Sequence, residues 1–380
     1  MVASMTELHP GPTNSLTDVA GILVGHADRR GEGWLSGTTV ILAPEDGAVA
    51  GVDVRGGGPG TRETDVLDPR NLVERIHAVV LSGGSAFGLA AADGVMQRLF
   101  EAGVGYPTGG PGEVVQIVSG AVIFDLGRGG DFTKRPGAAM GKEAYDAATS
   151  ESSASSPARQ VSTGGVGAGT GAVAGGLKGA VGSASVVLAD GTTVAALVVV
   201  NSLGSCVDPA TGELYAARFG LPGEFTHMLA PTTDDVVAAR AAADNAVATG
   251  GPGYVLATTI GVMATDASLT KAQCAKVSGI AHDGMARAIR PVHTMFDGDT
   301  VFTLATGDRG APDPLAFHAL LDAGGDCLTR AIGNAMLAAE SVGTPAGRWR
   351  SYREAFPSAF AASPPASPAT RTPRPRTGRG

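Results

Sequence analysis

The sequence predicts a layered α+β or α/β domain, and three segments predict it. Ala189, Asp190, Gly191 and Thr192 separate two apolar runs, 185–188 and 193–200. Asp-Gly between such runs signals a hairpin, because glycine accepts φ > 0. An apolar run at 78–81 ends at Gly83 and Gly84 and is followed by helical spacing, so a buried strand runs into a helix through a glycine turn. Between 259 and 306 a strand, a helix and a second strand follow one another. Mixed strands and helices with at least one hairpin exclude an all-helical protein.

In chain order, residues 1–15 read as a loose, flexible leader, and one domain spans 16–345. In 87–102, Leu89, Val95, Met96, Leu99 and Phe100 fall on one broad helical face. Residues 114–126 are strand-like. The polar, low-complexity stretch 149–163 reads as an exposed loop. After the strand at 259–265, Thr270 and Gln273 have capping-box spacing. Val277, Ile280, Ala281, Gly284 and Ala288 then form a narrow stripe of small residues suited to close packing against a sheet. Residues 301–306 alternate as a strand, and 314–340 are mostly helical. The tail 361–380 is basic, rich in Pro, Ser, Thr, Arg and Gly, and reads as disordered.

Bulk properties bound the function. A chain of 380 residues, 43% apolar, can bury a large core. Glycine is about twice as frequent as usual, 57 of 380, which points to many tight turns and close backbone approaches. The net charge of −8, thinly spread, argues against nucleic acid as a partner. Cys206, Cys274 and Cys327 are few, odd in number and far apart, so they read as buried reduced thiols of a cytoplasmic protein. No uninterrupted apolar stretch reaches ~18 residues, so no membrane span is expected, and no signal peptide is visible at the N-terminus.

Reactive residue types are densest between 254 and 307. Thr258 and Thr259 stand where a loop enters a strand. About 39 residues later Asp297, Gly298 and Asp299 precede the next strand. The intervening helix is long enough to return the chain, so two neighbouring strands bring Thr258 near both acids. A hydroxyl needs a base. One source is the α-amino group freed by backbone cleavage, whose reference pKa of roughly 7.7–8.0 suits proton transfer near neutrality. The bland alternatives are strand propensity for Thr-Thr and a plain turn for Asp-Gly-Asp.

Several stretches decide between these readings together. They are 53–65 (DVRGGGPGTRETD), 80–89 (VLSGGSAFGL), 120–126 (GAVIFDL), 165–171 (GVGAGTG), Val200 with Asn201, 258–266 (TTIGVMATD) and 297–307 (DGDTVFTLATG). In residues and order they resemble the P1 (DmpA-type) peptidase family, S58, with its L-aminopeptidase/D-esterases, β-peptidyl aminopeptidases and 6-aminohexanoate-oligomer hydrolases. The resemblance implies a four-layer αββα sandwich, like the Ntn hydrolases in shape but differently connected. It implies a precursor that cuts its own backbone before a Ser or Thr, here between Ala257 and Thr258, giving an α chain 1–257 and a β chain 258–380. Thr258 is then the nucleophile, Asp297 and Asp299 hold its amine, and Asn201 orients the substrate carbonyl or its oxyanion. Lys178 and Tyr145 match further pocket residues. Small peptides, amides or esters are the implied substrates, with no metal or organic cofactor and a homotetramer of αβ pairs. Ala257 departs from the Asn or Gly usual before the nucleophile. A non-cleaving member acting as a binding or assembly protein is the alternative.

Other motifs carry less. The 165–171 stretch follows a polar loop, unlike a dinucleotide loop, and 137–143 is too short for a Walker loop. His293 invites a Thr-His-Asp triad, and His282, His293, Asp297 and Asp299 a metal site, with spacing that matches no motif. Gly83 and Gly84 could present N–H groups to an oxyanion or carboxylate, although a packing turn explains them better. Arg55 and Arg62 with Glu63 and Asp65 read as a structural ion-pair network.

Overall fold

The computed structural model describes residues 8–150, 160–248 and 256–360. The expected tail, most of the 149–163 loop and residues 1–7 of the leader lie outside the described residues. The sheet strands, in chain order, are β1 (Leu23–Gly31), β2 (Trp34–Leu42), β3 (Ala48–Val54), β4 (Thr61–Arg62), β5 (Arg75–Ile76), β6 (Ala78–Ser82), β7 (Val118–Val122), β8 (Val181–Val187), β9 (Thr193–Val199), β10 (Ile260–Thr265) and β11 (Thr300–Ala305). The main helices are α1 (Ala91–Glu101), α2 (Ala138–Thr149), α3 (Thr233–Ala248), α4 (Lys271–Ala288) and α5 (Pro314–Ala338). One sheet has the order β1-β2-β6-β7-β4, and the other β8-β9-β10-β11-β3-β5. β8 and β9 pair antiparallel across the Asp190-Gly191 turn, and β10 and β11 pair parallel around α4.

Side chains alternate along each strand, so each sheet buries two faces. Leu197, Val199, Val262, Phe302 and Leu304 meet Ile41, Leu81 and Ala121 between the sheets. Val194, Ala196, Val198 and Val301 face Val277, Ala281 and Met285 of α4 and Leu328 and Ile332 of α5. On the far side Val40, Val80 and Val118 pack against Ala91, Val95 and Leu99 of α1 and Met140 and Ala144 of α2. The result is an αββα sandwich of four layers.

Local signals mostly act as read. Thr270 accepts Gln273 N and forms the capping box of α4. The stripe on α4 serves two surfaces, however. A Cβ on Gly284 would lie 2.1 Å from the Gly325 carbonyl oxygen of α5, so this glycine lets two helices meet instead of touching the sheet. The helix expected over 87–102 begins as a 3-10 stretch, Ser85–Ala90, and Phe100 is exposed. The strand expected over 114–126 is split, with Val114–Val115 in a separate ribbon.

Two boundaries need correction. The leader is not loose from His9 onward. His9 bridges Val187 at the sheet edge, and Gly11 N donates to Ser185 Oγ at 3.0 Å. Asn14 Oδ1 accepts Arg330 Nη2 at 2.8 Å. The polar run was misread because its partners are a buried arginine and a strand edge remote in sequence. Nor does the domain stop at 345: Tyr352 is fully buried and its hydroxyl donates to Gly212 O at 2.9 Å.

Arg330, at 1% exposure, pairs with Glu224 through Nε (2.5 Å) and Nη2 (3.1 Å). Burial works against Glu224 ionising, but the Arg330 hydrogen bonds outweigh it and hold the carboxyl below its usual range. Glu224→Ala leaves a buried cation unpaired and should cost about 3–5 kcal/mol, read as a lower urea midpoint. An unchanged midpoint would contradict this.

Candidate active site

The sheet register assembles the site. Val199 pairs antiparallel with Ile260, Ile260 pairs parallel with Thr300, and Thr300 pairs antiparallel with Val54. The residues just beyond these strand ends therefore converge at one end of the sheet. They are Asn201 after β9, Thr258 and Thr259 before β10, Asp297 to Asp299 before β11, and the Gly56-Gly57-Gly58 turn after β3.

One peptide bond is gripped from both sides there. Thr258 N donates to Asn201 O at 2.6 Å, and Gly298 N donates to Ala257 O at 3.1 Å. The Thr258 hydroxyl lies against the Ala257 carbonyl, donating to its oxygen. The neighbouring residues are anchored too, with Ala257 N on Phe296 O at 3.0 Å and Thr259 N on Asp299 Oδ1 at 2.7 Å. Ala257, Thr258, Asn201, Asp297 and Asp299 are all buried, none more than 6% exposed. The glycines are required by closeness. A Cβ on Gly56 would lie 2.3 Å from Asp299 N, and one on Gly298 would lie 2.8 Å from Thr258 Oγ1.

Asp297 and Asp299 come to Thr258 as the sequence suggested, but both carboxylates are occupied by other donors. Asp297 Oδ2 accepts Thr294 N (2.8 Å) and Thr294 Oγ1 (2.7 Å). Asp299 Oδ2 accepts His293 Nδ1 (2.8 Å) and His293 N (3.1 Å). Among the described residues neither carboxylate bonds the Thr258 side chain. His293 bonds Asp299 and not Thr258, so the ordered Thr-His-Asp triad is not formed. His282 Nε2 bonds Asp53 O at 2.9 Å, and among the described residues no three His, Cys, Asp or Glu side chains converge as metal ligands.

Asn201 contributes through both its backbone and its side chain. Its Oδ1 accepts Arg128 Nη1 (2.5 Å) and Val173 N (3.0 Å). Both partners are donors, which fixes the amide orientation. Among the described residues Nδ2 is left with one long contact, to Phe124 O at 3.5 Å. Arg128 also donates to Gly171 O at 2.7 Å, and burial lowers its pKa to about 10. Sequence reasoning missed Arg128, because a single arginine in a glycine-rich turn has no motif. Lys178 belongs to the same buried cluster, with Nζ on Gly169 O (2.9 Å) and Gly179 O (2.5 Å).

Burial, then the charges of Arg128 and Arg30, push the Lys178 ammonium down from 10.5 to about 7. Across that window the unfolded chain binds more protons than the folded one, so this group makes stability rise with pH. The melting temperature of the wild type minus that of Lys178→Met should therefore increase from pH 7 to pH 10. A constant difference would show that Lys178 is not perturbed.

Three expected site residues are placed elsewhere. Tyr145 packs on α2 against the outer helix–sheet core, with Trp34 and Met96 around the same cluster. The uncertain lengths between motifs put it in the wrong layer. Gly83 and Gly84 have no N–H to offer a ligand. Gly83 N bonds Gly37 O (2.9 Å), Gly84 N bonds Asp125 Oδ1 (2.7 Å), and Ser85 N bonds Ile123 O (2.9 Å). Their role is packing, since a Cβ on Gly83 would lie 2.2 Å from both Asp125 Oδ2 and Ser36 Oγ. Of the expected ion pairs, Arg55 bonds Asp53 and Asp283 and Arg62 bonds Asp93, replacing Glu63 and Asp65 as partners.

At one sheet end of the four-layer αββα sandwich a threonine and two buried aspartates lie close together, residue types that can support hydrolysis by a hydroxyl nucleophile. The chain belongs to peptidase family S58, whose model matches residues 14–350. It is 48% identical over 375 residues to an uncharacterised aminopeptidase of Mycobacterium leprae, covering 93% of this chain and 97% of that one. It is 30% identical over 312 residues to a 6-aminohexanoate-oligomer endohydrolase of Kocuria sp., covering 78% of this chain and 76% of that one. The solved L-aminopeptidase D-Ala-esterase/amidase of Ochrobactrum anthropi, a variant of the Ntn-hydrolase fold, superposes with a TM-score of 0.66 at 23% identity over 90% of this chain and 92% of that one. The protein is thus a peptidase or amidohydrolase of that family. No helix among the described residues is long and apolar enough to cross a membrane.

Proposed function

We propose that Thr258 is the nucleophile and that the chain cuts itself between Ala257 and Thr258. The observation that carries this reading is the doubly held Ala257–Thr258 peptide bond with the Thr258 hydroxyl resting on its carbonyl. The hydroxyl oxygen adds to the Ala257 carbonyl carbon, the C–N bond breaks, and the nitrogen takes the proton. Water then hydrolyses the ester, leaving an Ala257 carboxylate and a free Thr258 amine and hydroxyl. Gly298 N–H is aimed at the oxygen where negative charge develops. The small side chain of Ala257 fits its buried position beside the turn, as glycine would.

In turnover the Thr258 amine serves as base for its own hydroxyl. The substrate acyl group moves to Oγ1, its amine departs, and water releases the acid. Asp297 and Asp299 orient the new amine, and Asn201 Nδ2 stabilises the substrate oxyanion. Identity to an aminopeptidase over nearly the whole chain makes peptides with a free N-terminus the first substrates to try. Likeness to the endohydrolase adds short amide oligomers such as those of 6-aminohexanoate. A homotetramer of αβ pairs and a cytoplasmic location complete the proposal, the latter supported by three buried free cysteines.

Rapid quench with an activated ester, followed by mass spectrometry of the peptide that begins at Thr258, tests the assignment. The expected result is a transient acyl adduct on that peptide. An adduct on any other residue would remove Thr258 from the role.

A further inference from the structure

We propose that His293 is a positioning residue for Asp299, and through it for the nucleophile; the inference rests on the assignment of Thr258 above. Asp299 is buried at 1% exposure and, among the described residues, receives three N–H donors: Thr259 N on Oδ1, and His293 N and Nδ1 together on Oδ2. Only the His293 ring donor can be removed by changing a side chain. Oδ1 fixes the backbone one residue beyond Thr258, so the plane of the Asp299 carboxylate sets where the Thr258 backbone and hydroxyl lie. His293 therefore acts from behind the carboxylate.

Three further features point to the side chain and not the backbone as the reason for histidine here. His293 adopts φ +58, a left-handed conformation that is uncommon outside glycine and that His, like Asn and Asp, adopts more readily than most side chains. Such strain persists where the surroundings require it. Its ring is held edge-on by His282, with centroids 4.7 Å apart and planes at 73°. His282 is itself fixed by Nε2 on Asp53 O, and it is kept neutral by burial, which lowers its pKa to about 4. The Nδ1–H of His293 must face Asp299, since a carboxylate only accepts. Histidine thus works as a donor locked in one plane, not as the base of a triad.

The test uses replacements that all tolerate the left-handed backbone. His293→Asn places an amide N–H near the Nδ1 position. His293→Asp has the same shape but presents an acceptor, and His293→Gly presents nothing. Self-cleavage rate of the full chain and kcat and KM of the cut enzyme are measured beside the wild type, with melting curves. The expected result is rescue by Asn to within a few-fold. Asp and Gly should lose on the order of 100-fold in cleavage and in kcat, with KM little changed, as expected for a displaced reacting group. Equal rates for Asn and Asp, or a Gly variant at wild-type rate, would overturn the proposal. If Gly fails to fold, the isosteric Asn–Asp pair still decides. A wild-type chain that does not cut before Thr258 would count instead against the assignment of the nucleophile.

Discussion

Thr258→Ala is expected to remain one uncut chain and to show no hydrolase activity. Two losses coincide because the same oxygen does both jobs, attacking the Ala257 carbonyl once and substrate carbonyls thereafter. Removal of a nucleophile of this kind costs at least about 1,000-fold. The fold should survive. The Thr258 side chain is small, and the contacts that hold the strand entry are made by backbone groups: Thr258 N on Asn201 O, Ala257 N on Phe296 O and Gly298 N on Ala257 O. Thr258→Ser keeps the hydroxyl and should keep both cleavage and turnover. Gel electrophoresis and an amide assay on the two variants check this. An active or cleaved Thr258→Ala protein would remove Thr258 from the mechanism.

Gly298→Ala should be the next most damaging change and should be selective. The added methyl would sit 2.8 Å from Thr258 Oγ1, 2.8 Å from Gly58 O and 3.2 Å from Pro59 Cα. Two of these neighbours are backbone atoms in a glycine turn that itself has no slack, so the nucleophile is the group that must move. Gly298 does not have a positive φ, so alanine is sterically allowed by its own backbone. Displacement of the hydroxyl by about 1 Å costs on the order of 100-fold. Precursor should therefore accumulate and self-cleave over hours while its melting curve stays cooperative. Cleavage at the wild-type rate would show that the turn yields and that Gly298 does not shape the nucleophile.

The strands and helices that carry the site were legible because local chemistry announces them. Asp190-Gly191 marks the β8–β9 hairpin, Thr270 and Gln273 mark the start of α4, and the strand–helix–strand run at 259–306 forces Thr258 and Asp299 to one sheet end. The Gly83-Gly84 turn was also visible, but not that its N–H groups are used up by Gly37 and Asp125. That bookkeeping depends on partners some 40 positions away. Arg128 escaped for the same reason, and His293 and Gly298, visible in the sequence as a triad candidate and as part of a turn, did not show their contacts there, because each acts through a contact in the folded chain rather than through spacing. Tyr145 failed differently, by alignment through segments of uncertain length. The leader hid its order because its polar groups look solvated until buried Arg330 is placed beside them.

The most direct test of the central claim is the intact mass of the purified protein with N-terminal sequencing of every chain present. Two chains, the smaller beginning at Thr258, are the predicted result, and they would establish nucleophile and self-processing together. A single chain of full mass after prolonged incubation would contradict the account, and Ala257 would then be the first residue to replace, by glycine.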